Sequence, residues 1–155
     1  MKKPLYSVPL LACKVVKERV VRFRSEEIGH DDIAADVART FIGSADREHM
    51  VVFFVNGKNT IVGMHTVAIG VLSSLQTSPR EVFRAALLTI AAGVILAHNH
   101  PSGDPRPSEE DVEFTDRCVS AGELLGVPLL DHVIVTRNTH YSFMRAGRIA
   151  RGKRA

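Results

Sequence analysis

The chain has 155 residues, 45% of them apolar and 24% charged, with a net charge of +3. That length and balance suit one compact domain and exclude a disordered, collagen-like or coiled-coil chain. Two cysteines, Cys13 and Cys118, exclude a disulfide scaffold and a cysteine-based zinc finger, while seven histidines make metal binding worth testing.

Residues 1–12 read as an irregular N-terminal arm. Cys13–Phe23, β-branched and charged, predicts a strand near a sheet edge. Asp31–Ile42 carries Ile33, Val37 and Phe41 at helical spacing and stops at Gly43. Met50–Val55 is a continuous apolar run, as expected of a strand buried on both faces. Asn56-Gly57 signals a hairpin, with Thr60–Ile69 as the returning strand. Pro79 opens a helix predicted to reach Ala92, and Gly93 ends it. Val94–Ala97 is a short buried strand. Ser108 opens a further helix to about Leu125, ended by Gly126. Val127–Val135 and Tyr141–Phe143 complete the strands. This order implies an α/β fold: a mixed sheet with helices on both faces, a three-layer α/β/α architecture. The expected organisation is the arm at 1–12, one domain at 13–145 and a basic tail at 146–155.

The charge is unevenly spread. Residues 1–24 and 145–155 together hold twelve Lys or Arg against the single acid Glu18, and the middle holds eight basic and sixteen acidic residues. Basic ends can attract phosphates, which makes nucleic acid a partner to test; solvated termini account for the same charges. The longest apolar stretch, Ala85–Ala97, is too short to span a bilayer. Lys2-Lys3 followed by Leu10-Leu11-Ala12-Cys13 has the outline of a lipoprotein signal. Pro4, Ser7 and Pro9 break its apolar region, so a cytoplasmic protein with free thiols is the expectation.

The chemistry concentrates in His98-Asn99-His100-Pro101-Ser102-Gly103-Asp104-Pro105-Arg106-Pro107-Ser108-Glu109-Glu110-Asp111. Residues i and i+2 of an extended segment point to the same side, so His98 and His100 can aim both imidazoles at one point. Three prolines stiffen the loop that follows. Asp111, in the first turn of the next helix, can supply a third ligand. Two imidazoles and a carboxylate suit zinc with one position open to water, and a nearby glutamate could move that water's proton. Ser108-x-x-Asp111 equally fits a helix-capping pair.

His98-x-His100, seven residues, Ser108, two residues and Asp111 resemble the JAMM signature of the JAB/MPN metalloproteases. The fuller string HNHPSGDPRPS, with Pro79-Arg80-Glu81-Val82-Phe83 upstream and Asp131-His132 downstream, resembles the RadC-like branch, historically called DNA repair proteins. The resemblance covers roughly residues 20–145. It implies a cytidine deaminase-like fold and one Zn²⁺ per chain. It implies His98, His100 and Asp111 as ligands, and Ser108 as the residue stabilising the oxyanion. It implies Glu48, ahead of the Val51–Val55 strand, as general base and acid, with Glu81 as rival and Glu26 and Glu27 behind it. The function implied is hydrolysis of an amide or isopeptide bond in a peptide substrate. The alternatives are a DNA-repair or mobile-element protein binding nucleic acid through its basic ends, and a catalytically silent scaffold. The N-terminal helical domain of longer RadC-like proteins has no counterpart in this sequence. The Pro-Cys-x-x-Cys ligand pair of zinc deaminases is also missing, which disfavours nucleobase deamination.

Among the remaining residues, His132 reads as a buried histidine paired with Asp131. Cys118 reads as core, and Asp104 as a turn residue that could line the site. His30, His49, His65 and His140 have ordinary loop or strand explanations.

Overall fold

The computed structural model describes residues 8–23, 27–70 and 77–150. Among the described residues, three helices and five strands follow one another as α1 (Asp31–Ile42), β1 (His49–Val55), β2 (Ile61–Ile69), α2 (Pro79–Ala86), β3 (Gly93–Asn99), α3 (Glu109–Leu125), β4 (Leu129–Val135) and β5 (His140–Ser142). The strands form one mixed sheet in the order β2-β1-β3-β4-β5. β3 and β4 are parallel, and the other pairs are antiparallel.

Strand alternation builds two cores. Met50, Val52 and Phe54 of β1 and Val94 and Leu96 of β3 face α2 and α3, where they meet Phe83, Phe114 and Cys118. Val51, Phe53 and Val55 of β1 and Ile95 and Ala97 of β3 face α1, where they meet Ala34, Ala38 and Ile42. Both faces are covered, which is why these strands read as unbroken apolar runs. Burial in the first core pushes the Cys118 thiol up to about 12, so it behaves as a small apolar group.

β4 carries one irregularity that matters for the site. Val94 pairs with Leu129 but Ile95 pairs with Asp131, so Leu130 is an extra residue, a β-bulge. Its side chain fills the space above Gly93, where an added Cβ would lie 2.9 Å from Leu130 Cδ1. Beyond the bulge the alternation is reset: Ile134 joins the α3 face, and Val133 and Val135 join the α1 face.

Several sequence expectations need correction. Cys13–Phe23 is not a strand: residues 8–23 have no regular structure, and Leu10, Val16 and Val20 are exposed. Its valines come as doublets, Val15-Val16 and Val20-Val21, which put one apolar side chain on each side of any strand and leave no single face to bury. The segment is held at two points, the Phe23 ring against Phe53 at 6.1 Å and the Arg19 guanidinium over Phe41 at 5.8 Å. α2 stops at Ala86 rather than Ala92; Thr89 turns its hydroxyl onto the Ala86 carbonyl, and the Ala92 N–H is taken by Val55. The β1–β2 hairpin forms where Asn56-Gly57 signals it, with residues 56–60 between the strands. Asn56 Oδ1 accepts from Lys58 and Thr60 N–H, and the left-handed residue is Asn59 at φ 60°. β3 runs on through His98 to Asn99. Residues 1–7 of the expected arm and 151–155 of the basic tail lie outside the described residues, as does Glu26.

The C-terminal segment is tied to α1 by charge. The Asp31 carboxylate, nearly buried, accepts from Arg145 Nη2 at 2.7 Å and His140 Nε2 at 3.1 Å. Burial opposes its charge, but these hydrogen bonds outweigh burial and hold the carboxyl below its usual range. The folded pKa is therefore depressed. Its contribution is complete above the unfolded carboxyl value of about 3.9 and is lost as pH falls through the lower folded value. Asp31→Ala is expected to cost about 1–3 kcal/mol in urea titrations at neutral pH. The gap to wild type should close as the pH drops below about 4. A gap that persists unchanged in acid would assign the loss to packing rather than to charge.

Candidate metal centre

β3 delivers the two histidines. His98 follows Leu96 on the α3 face of the sheet, and His100, just past the strand end, stays on that side. His98 Nε2 and His100 Nε2 lie 2.9 Å apart. Asp111, one turn into α3, brings Oδ1 to 3.2 Å from His98 Nε2 and Oδ2 to 3.5 Å from His100 Nε2. His98 is fully buried, and Asp111 is 5% exposed.

The donor set and the spacing fit zinc. Ligand bonds of about 2.0–2.1 Å at a tetrahedral ion put the ligand atoms about 3.3 Å apart. The three separations here bracket that value. His100 Nδ1 lies 2.8 Å from the Asp104 backbone oxygen; a carbonyl can only accept, so Nδ1 donates and Nε2 keeps its lone pair toward the centre. Burial would raise the Asp111 carboxyl, but the neighbouring His100 and His98 rings, which donate to it whenever they are protonated at Nε2, hold it well below the carboxylate range. Asp111 in turn accepts from the doubly protonated form of His100 and so raises it. The Asp104 side chain points elsewhere, ion-paired to Arg106 at 2.6 Å and held at about 2 by it.

Ser108 and Asp111 realise the capping pair and the convergence at once. Ser108 Oγ accepts from Asp111 N–H, and Asp111 Oδ2 accepts from both Ser108 N–H and Ser108 Oγ–H at 2.8 Å. Reciprocal capping fixes the carboxylate rotamer, leaving Oδ1 for His98.

Glu48 stands just ahead of β1. The β1–β3 pairing joins Met50 to His98, and continuing that register by two residues sets Glu48 opposite His100. Its negative charge helps raise His100. Asn99, on the other face of β3, clamps the approach: its Oδ1 accepts from His49 N–H at 2.7 Å, and its Nδ2 donates to the Arg47 carbonyl at 3.1 Å. The rival Glu81 is ion-paired to Arg84 on α2 at 3.0 Å. Glu27 bridges to Thr60 at the far end of the β1–β2 hairpin.

His132 is buried as expected, but not paired through its ring with Asp131. Asp131 Oδ1 accepts the His132 backbone N–H, whereas the ring contacts His98 Nδ1 at 2.8 Å through Nε2 and Thr115 Oγ1 at 2.6 Å through Nδ1. The Leu130 bulge turns the imidazole, rather than the carboxylate, toward α3. Burial holds His132 well below the usual histidine range, so it is neutral. Asn99 and Thr115 were not singled out in the sequence. Asn99 sits between the two histidines, and its place on the opposite strand face was the available signal.

Beside His100 a groove of about 710 Å³ opens at the ends of β3 and β4, lined by Arg39, Ser44, Asp46, Asn99, His100 and Thr136 among others. Asp31, Asp32 and His140 also converge, but there Arg145 supplies the cation, at 2.7 and 3.1 Å from the two carboxylates.

A family model described as the RadC-like JAB domain matches residues 28–148. A UPF0758 protein of Desulforamulus reducens is 45% identical over 104 residues, 67% of this chain and 46% of that protein. One from Carboxydothermus hydrogenoformans is 47% identical over 108 residues, 70% of this chain and 47% of its own. One from Bacillus licheniformis is 42% identical over 137 residues, 88% of this chain and 57% of its own. The chain spans about half the length of the curated relatives it matches.

Proposed function

The chain belongs to the RadC-like JAB domain family, and from that premise we propose that it is a zinc-dependent hydrolase of amide or isopeptide bonds. The observation that carries this reading is the triangle of His98 Nε2, His100 Nε2 and the Asp111 carboxylate at tetrahedral spacing. Zinc held there would act as a Lewis acid and lower the pKa of a water in its fourth position.

The remaining work falls to the chain's own residues. Glu48 takes the proton from the attacking water and returns it to the leaving amine. Ser108 Oγ turns its hydroxyl from Asp111 Oδ2 to the developing oxyanion, while its backbone N–H keeps the carboxylate in place. A peptide reaches the centre along the groove beside His100. No helix of the described residues is long and apolar enough to cross a membrane. The nucleic-acid alternative leans on the basic ends, and one of their charges, Arg145, is spent on Asp31 and Asp32.

Metal analysis of protein purified without a histidine tag tests the reading. One zinc per chain is expected, and none in the double variant His98→Ala/Asp111→Ala. Substoichiometric zinc that the double variant leaves unchanged would sink it.

A further inference from the structure

His98 differs from His100 in how its ring is held. His100 donates to a backbone carbonyl, which leaves no ambiguity about where its proton lies. The Nδ1 of His98 faces another imidazole, which can donate or accept. Something further along must fix the direction.

The hydrogen bonds supply it. Thr115 Oγ1 lies 2.6 Å from the Asp111 backbone oxygen, four residues back in α3. A carbonyl oxygen accepts only, so the Thr115 hydroxyl spends its one proton there. Its oxygen then accepts from His132 Nδ1–H, at 2.6 Å. The ring of His132 is fully buried, and its two ring partners, Thr115 and His98, include no carboxylate to balance a second proton. With Nδ1–H given to Thr115, its Nε2 presents a lone pair and accepts from His98 Nδ1–H, at 2.8 Å. His98 is left with a bare Nε2 aimed at His100 and Asp111. The ring of His132 has no freedom to do otherwise. It is fully buried and stacked on Phe143, with an interplanar angle of 8°.

We propose that Thr115 and His132 are positioning residues that set the tautomer of His98 for metal binding. The chain of donors begins and ends on the two residues concerned, His98 and the Asp111 backbone. The helix that carries one ligand thereby prepares the other. This inference deepens the metal reading above and rests on it.

Zinc competition with a chromogenic chelator is the test, run on the whole chain. Thr115→Val removes the hydroxyl and keeps the side-chain volume. It should weaken zinc binding by about 10- to 100-fold, the range for losing an outer-sphere partner. Thr115→Ser removes a methyl and keeps the hydroxyl, and should stay within about threefold of wild type. A purely structural role for Thr115 predicts the reverse ranking, because serine leaves the larger void. Cys118→Ala, buried in the same helix and outside the chain of donors, should cost stability without changing zinc affinity. Long-range ¹H–¹⁵N spectra of the zinc-loaded wild type should show both His98 and His132 protonated at Nδ1. Wild-type affinity in Thr115→Val, equal losses in the valine and serine variants, or an Nε2-protonated His132 would overturn the inference and leave the zinc site standing. Failure of the wild-type chain to bind zinc would overturn both.

Discussion

Glu48→Gln is expected to leave zinc bound and to lower amide hydrolysis by about 100- to 10,000-fold, the range for losing a general acid–base group. The substitution keeps size and polarity and removes the ability to take a proton. Zinc content and turnover are measured on the same preparation, so an effect on the ligands cannot pass for an effect on the base. Glu81→Gln is the control; Glu81 already has a partner in Arg84 and should retain full activity. Asn99→Ala should act in the same direction as Glu48→Gln but more weakly. It releases the two backbone contacts at Arg47 and His49 that hold Glu48 in register with His100. Full turnover in Glu48→Gln would move the base to another acid.

Asp131→Ala is expected to be the most damaging single change outside the hydrophobic cores, about 3–5 kcal/mol by thermal or urea unfolding. The carboxylate is buried and accepts three hydrogen bonds: His132 N–H at 2.7 Å, Met144 N–H at 3.0 Å and Ser142 Oγ–H at 2.7 Å. These join β4, β5 and the segment after β5. Alanine leaves all three donors unpaired, two of them buried. Asp131→Asn keeps one carbonyl oxygen for the two backbone donors and should cost about 1 kcal/mol. Burial raises the Asp131 carboxyl, so the charged form is already disfavoured and a neutral replacement gives up little. Equal losses in the two variants would show that the volume of the side chain matters more than its hydrogen bonds.

The parts of the fold that were legible are those where local pattern and burial agree. Met50–Val55 is apolar throughout because both its faces are covered. α3 announces itself by Ser108, Asp111 and Gly126. The convergence of His98, His100 and Asp111 was legible because two-residue alternation and one stiff loop suffice to produce it. Cys13–Phe23 misled because β-branched residues raise strand propensity without supplying a face to bury. The ring partners of His132 were not legible. They depend on the Leu130 bulge, which has no signature in the local sequence and is defined only by the pairing of β4 with β3. Asn99 was hidden for a related reason: its partners, Arg47 and His49, lie some fifty residues away.

The bulge at Leu130 has a further consequence for how the chain tolerates change. A strand is a two-step alternation, and one supernumerary residue advances its phase by half a period. Downstream of that point, imidazole and carboxylate exchange sides: His132 reaches the metal face, and Asp131 is free to knit the strands that follow. Deleting Leu130 would join Leu129 directly to Asp131, matching the adjacent Val94 and Ile95 of β3, and would leave Asp131 and His132 on their present sides. Gly93, by lacking a side chain, is the neighbour that makes room for the extra step. What a deletion of Leu130 would remove is its side chain over Gly93; the facing of the metal site is carried by the pairing on either side of the bulge, like a sentence that survives the loss of a parenthesis.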